Sequence, residues 1–413
     1  MALQQLRVLL VSPLAGVDPF SGDVVYSQAL LEDSPPGVTY VRYDDALGSG
    51  ELLEHGRRRT LATGLSSRAR AAALSRLVRE HAVNEARRHG LLFREPFRLL
   101  EIRGAFDLVH CHTYSVQWSG LPTPVLVSNA LPLSELYAVA RGWREGHVRF
   151  ADQADRLLAQ MLGVSHIVHG QADADRVVAF TEALGDWYVE RGVPRARLGV
   201  VPCFPAGLPT ATANPSVPGR IGFVAGDFHA KGGDTVLQAM RTIRMRRPDA
   251  HLWVAGGPTG LTSRALAGLG VTWRGYLRRE ELLTTMLPSC QVFAYPSRFD
   301  GLPMTLLEAL GSGVPAVVSD YFGLPEVVSD GESGRVVHQD DPDALADAVV
   351  ELLDPEVNAR ASKGARVRYE STYAPARVLP LLRANYDTAI RSHGRGGSWP
   401  AANATDQSAT RRW

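Results

Sequence analysis

The chain has 413 residues, of which 45% are hydrophobic and 21% charged, and its formal net charge is +1. This length suits two α/β domains, the composition suits a globular protein with a full core, and the charge excludes a polycation built for nucleic acid. Three widely spaced cysteines argue against a disulfide scaffold. No apolar stretch approaches the ~18 residues of a membrane span, so we expect a cytoplasmic protein.

In the first half, short apolar runs alternate with helical patterns. The runs predict strands at 6–11, 38–43, 107–110, 124–127, 176–180 and 198–201. Such continuous runs are typical of parallel sheets, whose strands are buried on both faces. Residues 57–103 differ, because twelve arginines stand there against four glutamates in a helical pattern. This segment is either a solvated helical face or a peripheral contact with an anionic membrane or acceptor.

A Pro-, Ala- and Gly-rich linker is predicted from Pro202 to Pro218, and the alternation restarts after it. Strands are expected at 221–224, 251–255, 291–295 and 316–319, and helices at 235–246, 280–286, 305–310, 343–353 and 376–390. The pattern predicts an α/β protein with two doubly wound, Rossmann-like domains. The expected division is 1–205, 206–375, a final helix at 376–391 and a disordered tail at 392–413.

The stretch from Tyr295 to Val328 is the most informative one. A buried strand ends at Pro296-Ser297, and a loop with Asp300 and Gly301 leads to a helix that begins near Met304. The first N–H groups of a helix suit a phosphate, and Glu308 can accept the vicinal hydroxyls of a ribose. Because ligands of doubly wound folds bind at the carboxyl ends of strands, this loop is a predicted nucleotide site.

This stretch resembles the E-x7-E signature of family 4 retaining glycosyltransferases, which have the GT-B fold. That fold implies two Rossmann-like domains facing each other across a cleft, with a C-terminal helix that crosses back to the N-terminal domain. Asp300 stands where the family has its first Glu, which contacts the transferred sugar, and Glu308 stands at the ribose position. The implied donor-binding residues are Gly226, Lys231, Gly232, Tyr276, Asp300, Gly301, Leu302, Pro303, Met304, Thr305 and Glu308.

Lys231-Gly232 matches the Lys-Gly of the family's diphosphate clamp, but Asp227 follows Gly226 where the family's arginine is expected. Arg298 is a candidate for the missing cation. The segment Asp107–His112 resembles a strand end that faces the cleft in the family, and His112 is the candidate residue there. Loop residues Gly16, Ser21 and Gly22 take the place of the family's Gly-Gly loop, near phosphate or acceptor.

The resemblance implies transfer of a sugar, with retention, from a nucleotide-sugar to an unidentified acceptor bound by the N-terminal domain. A UDP-sugar is the expected donor and a GDP-sugar the alternative, with catalytic roles for Lys231, Asp300 and His112 and no cofactor or metal. The other class of function is a catalytically impaired, nucleotide-binding partner of another transferase. An epimerase or a phosphorylase on the same fold is a weaker alternative, and a dinucleotide oxidoreductase lacks its G-x-G-x-x-G motif.

Overall fold

A computed structural model describes residues 4–12, 22–55, 98–112, 116–117, 122–129, 150, 154, 157, 161, 174–190, 192–208, 216–257, 266 and 268–393. The predicted Arg-rich segment lies largely outside these residues, as does the predicted tail beyond residue 393. None of the described helices is long and apolar enough to cross a membrane.

The first half of the chain forms a parallel sheet with helices packed against it. Its described elements are β1 (Leu6–Val11), α1 (Gly22–Glu32), β2 (Val38–Arg42), α2 (Tyr43–Ser49), β3 (Leu52–His55), β4 (Arg98–Ile102), β5 (Leu108–Cys111), β6 (Val116–Gln117), β7 (Val125–Asn129), β8 (Arg176–Ala179), α3 (Glu182–Glu190), a 3-10 turn (Arg195–Arg197) and β9 (Leu198–Val200). The six-stranded sheet has the order β2-β1-β5-β7-β8-β9. Its apolar runs are buried on both faces, as a parallel sheet requires.

Strands β3, β4 and β6 form a separate three-stranded sheet. Strand β4 falls inside the segment 57–103, so the helical prediction is wrong for residues 98–102. β4 pairs antiparallel with β3, with Leu52 opposite Ile102; Leu52 belongs to the core of this half and Ile102, partly buried, packs against it. Pairing and burial therefore override the local helical pattern.

The second half forms another parallel sheet. Its described elements are β10 (Arg220–Ala225), α4 (Gly233–Arg246), β11 (His251–Gly256), β12 (Val271–Trp273), the consecutive helical turns Arg279–Glu281, Leu282–Met286 and Leu287–Ser289, β13 (Val292–Tyr295), α5 (Met304–Gly311), β14 (Ala316–Ser319), α6 (Leu324–Val327), β15 (Gly334–Val337), α7 (Pro342–Leu352), α8 (Pro355–Arg368) and a π-helical turn (Tyr369–Tyr373). The sheet order is β12-β11-β10-β13-β14-β15. This is the Rossmann order, in which the direction of winding reverses between β10 and β13 and creates a crevice for ligands.

The last described helix, α9 (Pro375–Ser392), returns to the first sheet. Arg383 donates hydrogen bonds to the main-chain oxygens of Pro36 (2.6 Å) and Gln4 (2.9 Å), and Asn385 accepts one from Arg176 (2.8 Å). The expected crossing helix is thereby confirmed. The exact boundary between the domains near residue 205 stays a prediction.

Candidate functional site

A cavity of about 440 Å³ lies where the two sheets meet. One wall comes from α1 through Gly22, Val25 and Gln28. The opposite wall comes from residues at and after the carboxyl ends of β10, β11 and β13 in the second sheet. The cavity therefore opens at the point where β10 and β13 diverge, which is where doubly wound sheets bind ligands.

The loop after β10 brings Lys231 to this cavity. Asp227 Oδ1 accepts the main-chain N–H of Ala230 (3.0 Å) and tightens the turn. Gly232 has a φ of 75°, and a Cβ there would lie 2.1 Å from the oxygen of Pro296. Only glycine fits both constraints, so it allows α4 to begin directly beside the loop after β13.

Lys231 and Asp300 form a half-buried ion pair. Lys231 Nζ donates to Asp300 Oδ2 at 2.5 Å and to the main-chain oxygen of Phe299 at 3.0 Å. The Tyr295 hydroxyl donates to the same Oδ2 atom. Burial, reinforced by the charge of Asp300, raises the pKa of Tyr295 well above its ordinary value, so this hydroxyl stays protonated. The carboxylate of Asp300 is thus held in one orientation beside a cation.

Helix α5 starts at the cavity wall. Pro303 precedes it without a side-chain cap, and Pro303, Met304 and Thr305 line the cavity. The first N–H groups of a helix have no partner within the helix and carry partial positive charge. This end of α5 is suited to an anionic group such as a phosphate.

Glu308 lies one turn further along α5 and its side chain is only 1% exposed. Oε1 accepts a hydrogen bond from Arg279, whereas Oε2 is buried and has no hydrogen-bond partner within the described part of the chain. Burial raises the pKa of Glu308 above its ordinary value, and the charge of Arg279 opposes that shift. Oε2 can therefore accept a ligand hydroxyl.

Tyr276 stands at the rim of the cavity and is 51% exposed. Arg278 and Arg279 also line the cavity, and sequence reasoning missed both. The available signal was a pair of arginines between Tyr276 and the helix predicted at 280–286. Without the fold, nothing distinguished them from ordinary surface cations.

His112 follows β5 in the first sheet, outside the lining of the cavity. Its Nδ1 lies 3.0 Å from both the main-chain oxygen and the Oγ of Ser128. Because a carbonyl oxygen only accepts, Nδ1 carries a proton and donates to Ser128. Nε2 is 3.2 Å from Asp23 Oδ1, yet it makes no hydrogen bond to any described residue. The Nε2 edge of His112 therefore faces the carboxylate of Asp23 in the first turn of α1.

Most of the predicted residues gather around the cavity. Those that line it are Gly22, Gly226, Lys231, Tyr276, Asp300, Pro303, Met304, Thr305 and Glu308. Those placed outside the lining are Gly232, Gly301, Leu302 and His112. Leu302 packs in the core instead. Gly301 lies against Gly323, because a Cβ added to Gly323 would lie only 2.6 Å from the main-chain oxygen of Gly301. Gly16 and Ser21 fall outside the described residues.

Arg298 does not replace the missing arginine of the clamp. Its guanidinium donates to both oxygens of Asp234, to Asp340, to Thr235 and to the main-chain oxygen of His229. All five N–H groups are engaged in these contacts, which lie outside the lining of the cavity. Asp234 and Asp340 thus hold Arg298 against α4.

The second half of the chain matches a known protein family. Residues 218–355 match the family model described as glycosyl transferases group 1. A D-inositol 3-phosphate glycosyltransferase of Mycolicibacterium gilvum is 28% identical over 60% of this chain, which spans only about half (55%) of that relative. An MMP alpha-(1->4)-mannosyltransferase of Mycolicibacterium hassiacum is 28% identical, over 70% of this chain and 72% of the relative. A GDP-mannose-dependent monoacylated alpha-(1-6)-phosphatidylinositol monomannoside mannosyltransferase of Corynebacterium glutamicum is 35% identical over 33% of this chain and 38% of its own.

Solved structures resemble the chain over nearly its whole length. Sucrose-phosphate synthase from Thermosynechococcus elongatus has a TM-score of 0.59 at 17% identity, covering 94% of this chain and 100% of its own. Anabaena HepE, solved with UDP and glucose, has a TM-score of 0.56 at 13% identity, covering 93% of this chain and 100% of its own. The chain has the GT-B fold of glycosyltransferases. Its second half carries the match to the glycosyl transferases group 1 domain.

Proposed function

We propose that this protein is a retaining glycosyltransferase that moves a sugar from a nucleoside-diphosphate sugar to an acceptor hydroxyl. One observation carries the proposal. Lys231, Asp300, Glu308 and the start of α5 converge on a single cavity at the reversal point of the second sheet. A cation, a helix N-terminus and two carboxylates supply the groups that a diphosphate, a sugar and a ribose need.

In the proposed reaction, the bond between the anomeric carbon and the diphosphate oxygen breaks, and the acceptor oxygen bonds to that carbon on the same face. The acceptor proton passes to the departing phosphate, so that the products are a glycoside and a nucleoside diphosphate. Lys231 and the N–H groups at the start of α5 stabilise the negative charge on the leaving group. Asp300 orients the sugar and Glu308 the ribose.

The second sheet contributes the donor side of the cavity, and the first sheet contributes α1 and, beyond the lining, His112. We therefore assign the acceptor to the first half, where His112 Nε2 and the carboxylate of Asp23 lie side by side. The relatives' names support testing GDP-mannose beside the expected UDP-sugars, and an inositol phosphate among the acceptors. The grouping of Lys231, Asp300 and Glu308 favours an active enzyme over an impaired partner subunit.

The test is a screen of UDP-, GDP-, ADP- and dTDP-sugars, following thermal shift and nucleotide release with and without hydroxyl acceptors. We expect one nucleotide to stabilise the fold and to be released. Lys231→Ala should lower kcat by about 10²- to 10³-fold, the usual effect of removing a group that stabilises transition-state charge. Arg241→Ala, an exposed cation on α4, is the matched control. Stabilisation without any release would support the impaired partner instead.

The configuration of the product is tested separately. NMR coupling constants of the anomeric proton in the donor and in the first-formed product should agree. An inverted product would contradict retention while leaving the transferase itself in place.

A further inference from the structure

Arg279 connects the buried carboxylate of the cavity to the interdomain linker. Its Nη1 donates to Glu308 Oε1, and its Nη2 donates to the main-chain oxygen of Ala206 at 2.7 Å. The side chain of Arg279 is 30% exposed and that of Glu308 only 1%. Ala206 is itself buried, in the segment between β9 and β10. The guanidinium is therefore anchored at two points, one in each of two separate elements.

This anchoring affects whether the side chain of Glu308 is protonated. Burial without a partner favours the neutral acid, and the adjacent guanidinium favours the carboxylate. Arg279 also occupies only one of the two oxygens, and the other, Oε2, has no partner among the described side chains and main chain. The pair thus presents one acceptor oxygen in a fixed direction, beside a guanidinium that favours its charged form, and a hydroxyl donor satisfies it best.

A lysine could not reproduce this arrangement. The guanidinium is a rigid planar fork whose two nitrogens reach Glu308 and Ala206 at once. An ammonium is a point charge on a flexible stem, so it would hold the carboxylate less firmly.

We propose that Arg279 is a positioning residue that makes Glu308 select ribonucleoside diphosphates over their deoxy counterparts. The inference rests on the proposed function, since it takes the donor's ribose as the group that meets Glu308 Oε2. It adds that the selectivity depends on a residue outside α5, linked to the segment that joins the two sheets.

The experiment is calorimetric titration of the full-length protein with UDP and GDP and with their 2′,3′-dideoxy forms. For whichever base binds, the wild type should favour the ribonucleotide by about 10- to 100-fold, the usual range for a hydrogen bond to a charged group. Arg279→Met should reduce this ratio to about 2-fold or less, because Glu308 then loses its charge or its orientation. Arg278→Met, which removes the neighbouring cation of the same cavity, should weaken both nucleotides alike and keep the ratio.

Two further variants keep the test decisive. Arg279→Lys retains a charge and should give an intermediate ratio even if Arg279→Met fails to fold. In the double variant Arg279→Met, Glu308→Gln, the ratio of the affinities for the ribonucleotide and the dideoxynucleotide should be the same as in Glu308→Gln alone. The reason is that Arg279 acts through Glu308.

An unchanged ratio in Arg279→Met and Arg279→Lys, or the same fall in Arg278→Met, would overturn this inference alone. A wild type that binds none of these nucleotides would overturn both the inference and the proposed function.

Discussion

Asp300 accepts hydrogen bonds from three donors on one oxygen, Lys231, Tyr295 and, at 3.5 Å, Ser297, and in the proposed function this lets an acid shorter than Glu orient the sugar. Lys231 reaches Oδ2 from the loop after β10, and Tyr295 reaches it from the end of β13. The acid is therefore fixed close to the sheet, one methylene shorter than Glu, by partners from two neighbouring strands. Sequence reasoning identified Asp300 and Lys231 but gave no role to Tyr295.

Tyr295→Phe should remove one of these donors without changing the shape of the site. We expect kcat to fall about 10-fold, because a hydrogen bond to a charged group contributes on the order of 1.5–3 kcal/mol. The Kd of the free nucleotide should change little, since Asp300 is assigned to the sugar. Tyr373→Phe is the matched control, because its buried hydroxyl binds the main-chain oxygen of Glu326. Equal kcat values in both variants would remove Tyr295 from the site.

His110 gives a pH-dependent prediction. It is fully buried between Ser128 Oγ (2.8 Å) and the Tyr386 hydroxyl (2.6 Å), and burial, helped by His112, lowers its pKa from 6.5 to about 3. The unfolded chain takes up this proton below pH 6.5, whereas the folded chain excludes it until about pH 3. The contribution of His110 to the free energy of unfolding is therefore fully present above pH 6.5 and is lost as the pH falls towards 3.

Urea unfolding from pH 7 to pH 4 measures this effect. The free energy of unfolding should fall with a slope of up to about 1.4 kcal/mol per pH unit from His110 alone. His110→Asn lacks the titrating ring and should show a shallower slope, whatever its stability at pH 7. Identical slopes would show that His110 does not contribute.

At the scale of elements, Glu326 joins the two halves of the chain. It lies in α6, and its two oxygens accept the N–H groups of Glu182 and Ala183 at 2.7 Å each. These are the first groups of α3, so a carboxylate from the second half caps a helix of the first. Only the fold reveals this cap, because Glu326 and the start of α3 lie far apart in the sequence.

Glu326→Ala should lower the free energy of unfolding by about 1–2 kcal/mol, the usual range for a lost helix cap. Glu332→Ala, at an exposed position shortly afterwards, is the control and should change it by less than about 0.5 kcal/mol. Denaturant titration followed by circular dichroism measures both. Equal stability of the two variants would show that the contact contributes nothing.

At the scale of the whole molecule, the parallel strands were predictable because burial on both faces makes each of them a continuous apolar run. Two edge strands, Val271–Trp273 and Gly334–Val337, were not predicted. They are short and partly exposed, so they carry little hydrophobic signal. Helix α8 was missed because its Arg- and Ala-rich sequence has a weak apolar face, although Asp354 before Pro355 offered a cap signal.

The candidate site was predictable where sequence order and spatial order coincide. Asp300, the start of α5 and Glu308 follow one another along the chain, so one motif contains them. Arg279 meets Glu308 from another segment of the chain, and Tyr295 meets Asp300 through the fold of the loop that follows β13. Those contacts depend on how β13, α5 and the linker pack, and no local pattern encodes that packing.

The central claim is that the cavity between the two sheets holds the nucleotide of a sugar donor. A crystal structure of the wild-type protein with UDP or GDP, whichever binds, tests it most directly. We predict the ribose hydroxyls at Glu308 Oε2, the diphosphate near Lys231 and the start of α5, and the base towards Tyr276. A nucleotide bound elsewhere on the protein, with this cavity unoccupied, would contradict the account.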